Sequence, residues 1–98
     1  MLKNLATDLL RYESLRTTTP KAMELCRFAE HIISLAKPGD ILARRRVEKE
    51  IKDALVLQKL FGPLRTRYQS RAGGYVRVFS IENRSGDNAP MSLVKLVP

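Results

Sequence analysis

The stretch Thr19-Pro20-Lys21-Ala22-Met23-Glu24-Leu25-Cys26-Arg27-Phe28-Ala29-Glu30-His31-Ile32-Ile33-Ser34-Leu35-Ala36-Lys37-Pro38-Gly39 organises the rest of the chain. Ala22, Leu25, Cys26, Ala29, Ile32, Ile33 and Ala36 recur at helical spacing and form one apolar stripe. Lys21, Glu24, Arg27, Glu30, His31 and Lys37 fall outside it. Thr19 is placed to cap this helix, with Pro20 at the first helical position, where its missing N–H is no loss. Pro38-Gly39 ends it.

Upstream, Leu15–Thr19 is short and β-branched, the pattern of a strand. Before it, Leu2, Leu5, Ala6, Leu9 and Leu10 space a first helix over Leu2–Glu13. Downstream, Asp40 can cap a third helix running to about Asp53, and a fourth spans Leu55 to about Tyr68. Gly62-Pro63 should kink or divide the fourth, because proline removes a helical N–H and crowds the preceding turn. Gln69–Gly74 then reads as a loop, Tyr75–Ile81 as a strand, Asn83–Pro90 as a turn-rich connection and Ser92–Val97 as a last strand. The order is α-β-α-α-α-β-β. For the strand after the loop, we favour Val76 and Val78 facing the helices and Tyr75, Arg77, Phe79 and Ile81 facing away. Alternation alone also permits the opposite register, with Phe79 in the core.

The 98 residues suffice for one domain. With 44% hydrophobic and 29% charged residues, the composition is globular rather than that of a disordered basic tail. One cysteine excludes an internal disulfide, and one cysteine with one histidine excludes a zinc finger. No apolar run approaches the roughly 20 residues that cross a bilayer. Asp8 interrupts any secretory signal, and Asp8 with Glu13 argues against a mitochondrial presequence. Cys26, on an apolar helical face, fits a reducing compartment.

Nothing in the sequence assembles a catalytic centre. Cys26 and His31 lie five residues apart, roughly 140° around a helix, and so point to different sides. The carboxylates alternate with bases at helical spacing, as in Glu48–Lys52 and Lys49–Asp53, which is the pattern of solvated i,i+4 pairs. There is no phosphate-binding glycine loop of the Walker or dinucleotide type. We expect no enzyme, no cofactor and no metal.

The basic residues carry more information. The formal net charge is +8, and residues 38–98 hold twelve bases against six acids. Arg44-Arg45-Arg46 fans over about 200° of the third helix, so part of it must face out. Taken alone, such a triplet is more often a solvated face than a binding site. A stronger signal is Arg65, Arg67, Arg71, Arg77 and Arg84, opposed within their span only by Glu82. All five are arginine, the side chain suited to bidentate phosphate contact and to stacking on bases. Tyr68, Tyr75 and Gly73-Gly74 are interleaved with them. The tyrosines can stack on bases or simply fill the core, and paired glycines can bring backbone N–H groups close to a phosphate or simply make a turn. As a set they point to nucleic-acid backbone binding. No helix shows helix-turn-helix or basic-zipper spacing, which favours RNA over DNA. A free-standing RNA- or DNA-binding regulator is the alternative. A small ribonuclease using His31 or Tyr75 is a weaker one, without a second catalytic group.

Two stretches, Arg71-Ala72-Gly73-Gly74-Tyr75 and Gly86-Asp87-Asn88-Ala89-Pro90-Met91, resemble signatures of the bacterial-type large-subunit ribosomal protein seventeen family. So do Met1–Leu10 followed by Arg11-Tyr12-Glu13, with Tyr12 where histidine is usual, and Thr17-Thr18-Thr19-Pro20-Lys21-Ala22. Ile33-Ser34-Leu35-Ala36-Lys37, Ala43-Arg44-Arg45 and Lys59-Leu60-Phe61 fall in family order, so the resemblance covers essentially all 98 residues. It implies a two-layer α/β domain, α-β-α(3)-β(2), with a small mixed sheet. It implies a structural constituent of the large ribosomal subunit, on its solvent side near the exit of the peptide tunnel. The partners implied are large-subunit rRNA and neighbouring large-subunit proteins, with no membrane and no small-molecule substrate. The Arg71–Tyr75 loop and Arg77 are its first rRNA-facing candidates, and the Asn83–Pro90 loop with Arg84 the next. The full candidate set is Lys3, Arg16, Lys21, Arg44, Arg45, Arg65, Arg67, Arg71, Gly73, Gly74, Tyr75, Arg77 and Arg84. Members usually carry a basic arm before the first helix, whereas this sequence opens at the helix itself. Val76 stands where threonine is common, and Phe61-Gly62-Pro63-Leu64-Arg65 departs from the bacterial pattern. These departures favour a mitochondrial-matrix member over one of the bacterial cytoplasm.

Overall fold

The stripe read from Ala22 to Ala36 is the centre of the computed structural model, which describes all residues from Met1 to Pro98. Helix α2 (Thr19–Ala36) buries Ala22, Leu25, Ala29, Ile32, Ile33 and Ala36. It packs against helix α1 (Leu2–Tyr12), helix α3 (Ile41–Glu48) and all three strands: β1 (Ser14–Thr18), β2 (Val76–Ile81) and β3 (Met91–Leu96). Its cap lies one residue earlier than expected. Thr18 is the N-cap without a side-chain capping bond, and the Thr19 hydroxyl instead shares a 2.9 Å hydrogen bond with Ser92 of β3. The C-terminus closes at Gly39, whose N–H reaches Ala36 O at 3.1 Å from the left-handed region, at φ 72°.

Asp40 caps α3 as expected, accepting from Ala43 N at 2.8 Å. The third helix ends at Glu48 rather than near Asp53, and Asp53 instead caps a new helix. Its carboxylate accepts from Leu55 N at 2.9 Å and Val56 N at 3.1 Å. Helix α4 (Ala54–Lys59) then passes through a π-helical turn, Leu60–Leu64, into α5 (Arg65–Tyr68). The wide turn falls on Gly62-Pro63, so the proline is absorbed by a local change of winding rather than by a break.

The three strands are ordered β1-β3-β2, with β3 antiparallel to both neighbours. The expected mixed sheet is therefore corrected to an antiparallel one. β1 and β2 do run parallel to each other, but β3 inserts between them and no parallel pair is hydrogen-bonded. Val76, Val94 and Leu96 are buried on the face under the helices, with Thr17 and Ser92 beside them. Arg77 and Phe79 face away, which settles the register as favoured. Tyr75 is the exception, since it precedes the strand and turns into the core at 2% exposure.

One core of 20 buried residues runs through α1, α2, α4, α5 and the inner sheet face. The shortest dimension of the molecule, 18 Å, accommodates one helical layer on one sheet and leaves the other sheet face uncovered. No helix is long and apolar enough to cross a membrane.

The turn at Gly39 yields a stability prediction. A Cβ placed there would lie 2.5 Å from Arg65 Nε, in addition to the left-handed backbone. Gly39→Ala is expected to destabilise the chain by about 1–2 kcal/mol in urea unfolding, with Gly39→Asn less affected. Equal stability of Gly39→Ala and the unsubstituted chain would contradict this account of the turn.

Candidate nucleic-acid interface

The arginines that looked alike in sequence divide into two groups. One group braces the fold. Arg65 donates from Nε to Lys37 O at 2.8 Å and from Nη2 to Pro38 O at 3.3 Å, tying α5 to the end of α2. Arg67 grips Glu13 through both guanidinium nitrogens, at 2.6 and 3.3 Å. Glu13 holds φ 66° after α1, and its carboxylate also meets Lys59 Nζ at 3.0 Å. Its backbone carbonyl accepts from Leu96 N at 2.9 Å, so one residue joins α1, the α4–α5 rod and the sheet. Arg84 is held by Asp87 at 2.7 and 3.1 Å within its own loop, where Asn88 takes φ 57°.

These pairings shift the acids. The Arg67 hydrogen bond, with Lys59 behind it, holds the Glu13 carboxyl down at about 2. The Arg84 hydrogen bond does the same to Asp87, also at about 2. Burial pushes the Cys26 thiol up, away from nucleophilic thiolate character. His31 is exposed on α2.

The second group is free of acids. Of the 18 lysines and arginines, only Lys3, Arg11, Arg44, Lys59, Arg67 and Arg84 form salt bridges. Among the expected contact residues, Lys3 meets Glu50 at 3.5 Å, and Arg44 meets Glu48 at 3.0 Å with its guanidinium 5.5 Å from the Phe61 ring. Lys21, Arg45 and Arg46 are exposed and form no salt bridge, and Arg45 shares a depression with Lys49, Lys52 and Glu48, the last held by Arg44. Arg16 and Arg77 project from the uncovered face of the sheet. Arg71 has no acidic partner either. Its Nε reaches Gly74 O at 3.2 Å across the turn formed by Gly73 at φ 148° and Gly74 at φ 67°. Open space surrounds both glycines, so backbone conformation alone requires them there.

That loop is fixed from beneath. Lys37 Nζ donates to Arg71 O and, at 3.1 Å, to the Tyr75 hydroxyl, which itself donates to Arg71 O at 3.0 Å. Of the two readings open for Tyr75, the structure takes the core one. Its ring is enclosed against Tyr68, with centroids 5.1 Å apart, and its hydroxyl is spent on the loop. Tyr68 is also buried, with its hydroxyl bonded to Val97 O. The residue with the properties wanted of a stacking platform is Phe79, 49% exposed beside Arg77. Lys95, directly opposite Arg77 in register, was also missed. The period-two alternation of Met91–Leu96 carried that signal once β3 was known to pair with β2.

The family model described as "Ribosomal protein L17" matches residues 1–97. The chain belongs to the ribosomal protein L17 family. Among its relatives, "Large ribosomal subunit protein bL17" of Anaeromyxobacter sp. (strain Fw109-5) is 50% identical over 99% of this chain and 58% of the relative. The protein of that name from Caldanaerobacter subterraneus subsp. tengcongensis is 46% identical over 99% of this chain and 87% of the relative. Against the three Anaeromyxobacter relatives, the chain spans about three fifths of their length, 58 to 61%. L17 membership bears out the expectation that the chain is not an enzyme.

The Glu13 hub gives a pH-dependent prediction. Its folded carboxyl, at about 2, lies below the ordinary 4.5, so the ionised form contributes stability above about pH 4.5. That contribution is lost as pH falls through the folded value. Glu13→Gln is expected to be less stable by about 1 kcal/mol near neutral pH. In chemical unfolding measured across pH, the deficit should shrink from about 4.5 towards 2. A deficit independent of pH would remove the ion-pair explanation.

Proposed function

We propose that this chain is a structural constituent of the large ribosomal subunit and that it binds large-subunit rRNA through its acid-free cations. Family membership supports the ribosomal role, because the relatives at 46–50% identity are named as large-subunit proteins. The observation that carries the rRNA contact is the charge partition. Twelve lysines and arginines lack a salt bridge, whereas among the ten acids only Glu24 and Glu82 lack any hydrogen bond or ion pair. The positive surplus therefore sits on side chains with nothing else to neutralise them.

Arg71 and the Gly73-Gly74 turn form the first contact, with the guanidinium presented on a loop anchored to α2. Arg16 and Arg77 on the open sheet face, Lys21 at the start of α2, and Arg45 on α3 extend it, with Arg44 secondary because Glu48 already holds it. Lys3 lies at the margin. Arg65, Arg67 and Arg84 act mainly by holding the scaffold, with any phosphate contact secondary to their bonds to Lys37, Pro38, Glu13 and Asp87. Tyr75 acts only by fixing the Arg71 carbonyl. Each cation that meets a phosphate displaces condensed counterions, so association weakens steeply with salt. The compartment follows the ribosome, and bacterial relatives support a bacterial one over the mitochondrial one. Neighbouring large-subunit proteins complete the proposed partners.

The chain is expected to sediment with large subunits, to survive a moderate salt wash and to be released by ribonuclease. Migration only in light fractions at every salt concentration would favour a free-standing regulator. Arg71→Glu should weaken rRNA association more than Arg27→Glu. Each lost phosphate contact should reduce the slope of log affinity against log salt by about 0.7 to 0.9. Equal effects of the two substitutions would exclude the Arg71 loop as a principal contact.

A further inference from the structure

The uncovered sheet face has a regular composition. Ser14, Lys95 and Arg77 form one cross-strand row, Arg16, Leu93 and Phe79 the next, and Thr18, Met91 and Ile81 the third. No carboxylate occupies any of these positions, and Arg16, Arg77 and Lys95 make no salt bridge.

Arg77 directly opposite Lys95 is an unfavourable arrangement in the isolated chain. Opposed residues on neighbouring strands bring their Cβ atoms to about 5 Å, and like charges there repel. A single anion seated between them turns the repulsion into two attractions. Phe79 follows two residues along the same strand and lies diagonal to Lys95, about 7 Å away. Its ring is half exposed and rests beside Leu93 on a surface with no helix above it. A shallow depression lined by Arg77, Phe79, Lys95, Leu96, Val97 and Pro98 adjoins the pair.

We infer that this open sheet face binds an unpaired RNA nucleotide, with its phosphate between Arg77 and Lys95 and its base stacked on Phe79. This rests on the rRNA-binding reading and adds a contact of a different kind. The Arg71 loop offers charge to any phosphate, whereas Phe79 requires a base outside a duplex. Sheet-borne aromatics flanked by cations suit single strands because every base presents a π face. An apolar face alone would suit a protein partner equally well. Arg77 and Lys95, whose depression holds no acidic side chain, are what select a polyanion, whereas Arg16 shares its own depression with Glu82.

The test compares two probes by fluorescence anisotropy: a single-stranded oligoadenylate and a blunt A-form RNA duplex. Phe79→Ala is expected to weaken oligoadenylate binding about 10-fold, to leave duplex binding nearly unchanged and to leave the salt slope intact. Phe79→Tyr should restore affinity. Lys95→Gln should instead reduce the salt slope by about 0.7. Failure of the unsubstituted chain to bind oligoadenylate overturns the inference, as does an equal loss for both probes or no loss with Phe79→Ala. Circular dichroism of each variant separates a folding defect from a binding one. If the alanine variant is unfolded, Phe79→Leu takes its place, keeping apolar bulk while removing the aromatic face, and the same selective loss for oligoadenylate is expected; no loss overturns the inference. In assembled subunits, a photo-crosslinking phenylalanine analogue at position 79 should link to rRNA, and linkage to protein alone overturns the inference. Loss of duplex binding by Arg71→Glu, with oligoadenylate binding untouched by Phe79→Ala, rejects the sheet-face site and keeps the ribosomal reading. Insensitivity of both variants rejects the sheet-face site and the Arg71 loop contact, and the sedimentation result then decides the ribosomal reading separately.

Discussion

The contact on which this structure depends is the apolar stripe of α2 laid across one face of a three-stranded sheet. Ala22, Ala29 and Ala36 keep the helix close, while Leu25, Ile32 and Ile33 fill the space above Val76, Val94 and Leu96. A chain of 98 residues has little more apolar surface to distribute. α1 and the α4–α5 rod complete the same helical layer rather than starting a second one. The opposite face of the sheet is thus left open by the economy of the core. Its side chains are released from packing and available for recognition.

The polar ties follow from that layering. A single helical layer must be joined to the sheet, and those joints fall at Glu13 and Lys37, where the backbone turns, and at Glu30 within α2. Glu13 connects α1, the rod and β3 through charges and its own carbonyl. Lys37 fixes the loop before β2, and Glu30 satisfies Val76 N at 2.7 Å, an edge-strand donor without a ladder partner there. Each joint uses one of the cations or acids that composition alone counts as surface.

Elements set by local chemistry were legible in the sequence. The α2 stripe, the Asp40 cap and the disturbance at Gly62-Pro63 each depend on residues within a turn or two, and each occurs where the pattern placed it. What escaped depends on distant partners. Thr19 gives up its capping place because Ser92 lies opposite it. Tyr75 leaves the strand alternation because Tyr68, across the intervening loop, and Lys37, far off in sequence, make a pocket for its ring and hydroxyl. The antiparallel sheet depends on β3 inserting between β1 and β2, which no single segment encodes. For the candidate interface, the cluster from Arg65 to Arg84 was visible as a cluster. Its division into bracing and free guanidiniums was not, since Arg67 is indistinguishable from Arg71 until Glu13 is brought to it. Lys95 was hidden for the same reason, because its significance arises from register with Arg77.

Bracing some arginines and freeing others has a consequence for how the free ones bind. A guanidinium on a disordered tail must lose conformational freedom when it meets a phosphate, and that loss opposes binding. Arg71 instead extends from a loop whose carbonyl is already held by two donors, and Arg77 from a strand paired along its length. Their backbones are ordered before any polyanion arrives, so much of the entropic penalty is met by folding. The corresponding strain is electrostatic. Unpaired cations on one small domain repel one another, most directly at Arg77 and Lys95, and this repulsion lowers the stability of the isolated chain. An anionic partner relieves it, so binding and folding reinforce each other through the same side chains. The packed helical layer supplies the rigidity that keeps this repulsion from being relieved by local unfolding instead.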